Sequence, residues 1–150
     1  MISFVEEAKK LNLSSLILNP NEDSKHCTFV WNKFFSSSKC PAKYIFIIAH
    51  SAGGWACSKI CKNNWDFVRD RVKGIFLTDS MFEIPNLTGN KEFADRVFHY
   101  RASDAPAGKL LQTNYNGIKE FSAGHPKHEY ASGCAFPYIF HTIEQLLKQI

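Results

Sequence analysis

The chain has no wholly apolar run near the roughly 20 residues that a membrane-crossing helix needs. It has no Cys-x-x-Cys pair, and its five cysteines, Cys27, Cys40, Cys57, Cys61 and Cys134, are odd in number. Cys57 and Cys61 lie one helical turn apart, which is poor spacing for a zinc knuckle, so all five read as reduced thiols of a cytosolic or nuclear protein, mostly buried. No basic cluster is present: the net charge is +4 and the longest run of cations is Lys9-Lys10. Scattered lysines and arginines of this kind make a solvated surface, so no direct nucleic-acid patch is read. Internal repeats and low-complexity tracts are missing too. The first residues, "MISFVEEAKKLNL", mix acids and lysines at helical spacing and do not read as a signal peptide. "LLKQI" at the other end carries no retrieval signal.

What remains is ordinary for a soluble globular protein: 45% apolar residues, 21% charged, and thirteen phenylalanines for a bulky core. A length of 150 residues suits one domain, taken as residues 1–150, but not two. Ile2 to Leu11 reads as a helix with Phe4, Val5, Ala8 and Leu11 on one face. "LSSLILNPN" reads as a short strand stopped at Asn19-Pro20. A helix follows, capped by Asp23 or Ser24, with Cys27, Val30, Trp31, Phe34 and Phe35 as its apolar positions. Tyr44 to Ala49 is continuously apolar and is expected to be a central parallel strand covered on both faces. Helices are expected over Gly53 to about Asn64 and Trp65 to Arg71, strands in "VKGIFLTDS", "RVFHYRASD" and "GIKEFSAG", a short helix over Asn90 to Asp95, and a closing helical stripe from Phe136 to Ile150. Such alternation argues an α/β fold with a parallel sheet, in which functional groups gather at the C-terminal strand ends.

At the end of the strongest strand stands "AHSAG", residues 49–53. This is the G-x-S-x-G pattern with alanine in the first place, set between a buried strand and a helix. On such an elbow the Ser51 hydroxyl is lifted above the sheet, the next amide faces a developing oxyanion, and the helix N-terminus lies beneath that charge. Ser51 still needs a base and an acid, in the chain order Ser, Asp or Glu, His. His128, in "SAGHPKHEYAS", sits where the base belongs, and His125 competes with it. The pair His125-x-x-His128 has the look of metal ligands, but no third ligand presents itself, so neither a metal nor a cofactor is expected. The acid is Asp79 or Asp104; both also suit turns. His50 reads as a flank of the elbow, and His26, His99 and His141 as packing or surface residues.

The blocks "LILNPNE", "VWNKFF", "IFIIAHSAGG", "VKGIFLTDS" and "FSAGHPKHEYAS", in this order, resemble the Argonaute-binding protein (Arb-two) domain, nearest its animal branch, the cotranscriptional regulators of sequence similarity family 172. The resemblance runs from about Leu16 to Phe140, and "LTDS" with "SAG…HE" is its specific part. It implies an α/β-hydrolase-like fold and a role in small-RNA-linked heterochromatin silencing or at the junction of chromatin and splicing. Argonaute, chromatin or splicing proteins would be the partners, in the nucleus or cytoplasm and without a membrane. Carried over, the family's serine falls on Ser51, its aspartate on Asp79 and its histidine on His128, which favours Asp79 over Asp104. The family domain has further strands upstream, including the loop that gives a hydrolase its second oxyanion donor. The chain is therefore read as N-terminally truncated or as a short paralogue, and losing one such donor costs about 10²–10³ in rate. The expected function is a weakly catalytic or non-catalytic adaptor. The alternatives are a serine hydrolase using Ser51, His128 and Asp79 on an ester, thioester or amide, and a structural remnant.

Overall fold

The computed structural model describes residues 2–19, 24–35, 40–83, 90–114 and 116–150. In chain order the elements are α1 (Ile2–Lys10), α2 (Ser24–Phe34), β1 (Ile45–His50), α3 (Gly53–Asn63), α4 (Trp65–Arg71), β2 (Val72–Thr78), α5 (Lys91–Ala94), β3 (Val97–Arg101), β4 (Leu110–Thr113), β5 (Lys119–Ser122), a single 3-10 turn (His128–Tyr130) and α6 (Ala131–Leu147). The five strands form one sheet in the order β1-β2-β3-β5-β4. β1, β2, β3 and β5 run parallel, and β4 pairs antiparallel with β5 at the far side. The α/β class with a mostly parallel sheet and helices on both faces is thus present.

Each face of the sheet buries its own core. On one side Ile75 and Leu77 of β2 meet Cys27 and Trp31 of α2, Cys57, Ile60 and Cys61 of α3, and Val68 of α4. On the other, Phe76 and Tyr100 meet Ala135, Ile139 and Ile143 of α6, with Phe4, Ala8 and Leu11 packed alongside. A register shift between Ile45 and Phe46 places an extra residue on β2, since Ile45 opposes Val72 and Phe46 opposes Gly74. The bulge lets Val72 join the α2–α4 core although it is an even number of residues from Phe76. All five cysteines are free thiols.

Three readings of the sequence need correction. Residues 13–19 form no strand, and Leu16 and Ile17 are 50% and 56% exposed. An apolar run becomes a strand only where it finds a ladder partner, and this one has none in the described sheet. β1 is an outer strand of that sheet rather than a central one, with Ile48 37% exposed. A continuous apolar run reports how far a strand's faces are covered; it carries no record of how many edges are paired. Phe34, read as one of the apolar positions of α2, is 53% exposed. Pro20 and Asp23, read as a strand stop and a helix cap, lie outside the described residues.

The segment after β2 presses on the start of α3. A Cβ on Gly54 would lie 2.2 Å from the Met81 carbonyl oxygen and 2.9 Å from Ser80 Cβ. Ser80 Oγ donates to the Ala49 carbonyl at 2.9 Å, and Ser58 Oγ donates to the Gly54 carbonyl at 2.9 Å while accepting the Glu83 amide at 3.0 Å. Gly54→Ala should therefore lower stability by about 1–3 kcal/mol, as overpacking does, in chemical denaturation. Gly53→Ala, whose Cβ would meet only Ala49 Cβ at 3.6 Å, should be neutral or better. Equal stability of the Gly54→Ala chain and the wild type would refute the close approach.

Candidate active site at the strand ends

The four parallel strands end on one side of the sheet, at His50, Thr78, Arg101 and Ser122. Ser51 follows β1 in the left-handed region, with φ of 52°. Its amide donates to the Thr78 carbonyl at 3.3 Å, and its own carbonyl accepts the Gly54 amide at 3.1 Å, which opens α3. Asp79 does the same thing after β2, with φ of 43° and its amide on the Tyr100 carbonyl at 2.7 Å. Non-glycine residues adopt this conformation at a cost of order 1–3 kcal/mol, and two in succession along one sheet edge mark a place held by its surroundings.

His128, in the 3-10 turn before α6, faces Asp79, with Nδ1 2.7 Å from Oδ2. Against a carboxylate, Nδ1 carries the hydrogen and Nε2 keeps a free lone pair. The second Asp79 oxygen, Oδ1, accepts the Ala102 amide at 3.2 Å and lies 3.5 Å from Arg101 Nε. Burial pushes the Asp79 carboxyl up, but the His128 hydrogen bond, the Ala102 amide and the Arg101 charge outweigh it and hold the group below its usual range. The His50 ring stacks on the His128 ring, centroids 4.6 Å apart. His50 is held in turn by Nδ1, which donates to the Thr78 carbonyl at 2.8 Å, and the Thr78 hydroxyl shares a hydrogen bond with Ser132 of α6 at 2.6 Å.

Of the residues singled out in the sequence, the structure joins Asp79 to His128 directly. Among the described residues no hydrogen bond links the Ser51 hydroxyl to His128 or His125, although Ser51 directly follows the His50 whose ring lies on His128. His125 works within its own loop: Nδ1 accepts the Lys127 amide at 3.1 Å and the ring packs on Tyr130. Asp104 is exposed in a bend beyond β3. His141 is exposed on α6, and His26 is half-buried on α2.

The sequence gives little sign of a second polar group, on the α3 face of the sheet. His99 of β3 and Glu120 of β5 oppose each other in the ladder and are 5% and 6% exposed. His99 Nε2 accepts the Ser80 amide at 3.2 Å, so Nδ1 carries the hydrogen, 3.6 Å from Glu120 Oε1. Arg101 stands between the groups, 3.5 Å from Asp79 and 3.8 Å from Glu120. β5 reads Lys-Glu-Phe-Ser, and a glutamate in so polar a strand reads from sequence as a solvent-facing position, which is why Glu120 escapes notice. Its only signal is that it alternates with Ile118 and Ser122, both buried.

Comparison with known proteins adds a family. The Arb2 domain matches residues 1–107. A FAM172 family protein homolog of Caenorhabditis elegans is 28% identical over 95% of this chain and 50% of its own length. Cotranscriptional regulator ARB2A homologs of Gallus gallus and Dictyostelium discoideum are 24% and 29% identical, over 95% and 89% of this chain and 35% and 36% of theirs. The chain thus spans between about a third and a half of the length of these curated relatives. No solved structure matches.

His99 supplies a test of the buried group. Burial, and then the Arg101 charge, pull its pKa down to about 4, against the opposing pull of Glu120 and Asp79. An unfolded histidine takes a proton below about pH 6.5, whereas the folded one stays neutral until about pH 4. Between those limits unfolding consumes a proton, so stability falls as pH falls, by at most about 3 kcal/mol from this residue. Urea unfolding between pH 6.5 and pH 4.5 should show a shallower loss for His99→Gln than for the wild type. Parallel pH profiles would show that His99 is not buried as described.

Proposed function

The chain belongs to the Arb2 domain family, and on that premise we propose that it is an α/β-hydrolase-like domain acting as a protein-binding adaptor in nuclear gene regulation, with little or no turnover of its own. Residues 1–150 act in this reading as one domain. The observation that carries it is the name that several of the matching relatives share, cotranscriptional regulator. The proposed partners are Argonaute, chromatin or splicing proteins. Low turnover has its own physical support. Acyl transfer needs preorganised donors in a site closed to water, and the His128 side chain is 47% exposed.

A second reading rests on the 2.7 Å contact of His128 with Asp79. In it the domain is a serine hydrolase of esters, thioesters or amides. Ser51 Oγ would attack the carbonyl carbon, His128 Nε2 would take the hydroxyl proton and later give it to the leaving group, and Asp79 would stabilise the imidazolium. The Ala52 amide would face the oxyanion. Water would then release the acyl group by the same steps.

Replacement in cells separates the two. Cells deprived of the protein are given the wild type or Ser51→Ala, and transcript and splice-form levels are measured. The adaptor requires that Ser51→Ala restore them as fully as the wild type. Failure of a folded Ser51→Ala chain, together with nitrophenyl-ester hydrolysis and fluorophosphonate labelling by the wild type alone, would put the hydrolase first.

A further inference from the structure

On the α3 face of the sheet lies a cavity of about 250 Å³ that the Ser51, His128 and Asp79 group does not use. We propose that it binds a primary alkyl-ammonium group, with the Glu120 carboxylate as counter-ion and the alkyl stem against Trp55, Leu77 and Ile118. The inference does not depend on whether Ser51 reacts.

Three features point to a cation. Glu120 is 6% exposed, and a carboxylate taken out of water needs short donors on both oxygens. Oε2 has one in Gln112 Nε2 at 2.7 Å. Among the described residues Oε1 has only long contacts, with Asn114 Nδ2 at 3.5 Å, His99 Nδ1 at 3.6 Å and Arg101 at 3.8 Å. Second, the positive charge in the cavity wall is already engaged, since Arg101 faces the Asp79 carboxylate as well as Glu120. Third, a further carboxylate, Glu83, also lines the cavity, which disfavours anions.

The shape of the acceptor selects among cations. A guanidinium binds best as a fork on two carboxylate oxygens, and Oε2 is occupied by Gln112. An ammonium is a compact point charge that needs one oxygen and carries a flexible apolar stem. The apolar surface open to that stem is the Trp55 indole, 48% exposed, with Leu77 and Ile118 buried behind the cavity lining. His99 offers the ligand nothing, because both its nitrogens are turned to Ser80 and Glu120. Its part is to fix the carboxylate.

The probe is 1-pentylamine, with 1-pentanol as its uncharged counterpart and the Trp55 indole N–H resonance, assigned through Trp55→Phe, as the readout. The amine should shift that resonance saturably and bind about tenfold tighter than the alcohol, the worth of one charge-assisted hydrogen bond. Glu120→Gln should lose about that factor. Equal affinity for amine and alcohol, tighter binding of acetate than of the amine, or an unchanged Glu120→Gln chain would each overturn the proposal. Should Glu120→Gln not fold, the comparison of amine with alcohol on the wild type decides. The same titration with a blocked glycyl-lysyl-glycine peptide and with cadaverine identifies the source. Tighter binding of the peptide assigns the site to a lysine of a partner protein, tighter binding of the diamine assigns it to a free polyamine, and binding of neither overturns the assignment.

Discussion

The end of β2 is held by one residue from three directions. The Thr78 carbonyl accepts both the Ser51 amide and His50 Nδ1, and its hydroxyl is bonded to Ser132. The first contact ties down the elbow of β1, the second the ring on which His128 lies, and the third the start of α6. Thr78 is fully buried, so its end of each of these bonds is shielded from water. The two left-handed residues, Ser51 and Asp79, stand on either side of this anchorage, and their strained backbone is sustained by it. Without it the serine loop, the imidazole and the first turn of α6 would be free to settle separately.

Arg101 joins the two polar groups across the sheet. Its side chain is half-exposed, yet it serves Asp79 on one flank and Glu120 on the other. A guanidinium shared by two carboxylates leaves the set with a negative excess. The His128 Nδ1–H supports Asp79 by a hydrogen bond, while among the described residues the cation nearest Glu120 Oε1 is Arg101, at 3.8 Å. A ligand that brought positive charge to Glu120 would free more of Arg101 for Asp79, and the two groups would then be coupled through charge.

Much of this was legible in the residues. The elbow could be read because small residues at Ala49 and Gly53 around Ser51 have few other uses after an apolar strand. His128 stood out because it lies in the loop after the last parallel strand, and Asp79 because it ends the apolar run of β2, with the family resemblance favouring it over Asp104. The position of β1 was not legible, since its hydrogen-bonded neighbours are chosen by the whole topology and side chains record only the cover of its faces. β4 was missed because "LLQT" is exposed at all four positions and shows no alternation. The apolar segment Leu13–Asn19 misled for the opposite reason: its composition suits a strand, but no ladder among the described residues is offered to it. His99 and Glu120 were hidden because each finds its partner on another strand, a pairing that the register of the sheet decides.

Gly54 shows how a position can be fixed by geometry rather than by chemistry. It touches no reacting group and makes no unusual turn, yet the carbonyl of Met81 occupies the space of its missing side chain. Every other amino acid brings a carbon into that space, so every missense change of its codon meets the same obstacle. Gly133, with nothing within 4 Å of its would-be Cβ, is under no such restraint. Among descendants of this chain Gly54 should stay constant while Gly133 drifts, and constancy at Gly54 would then report a packed crossing of two segments rather than a role in binding or catalysis.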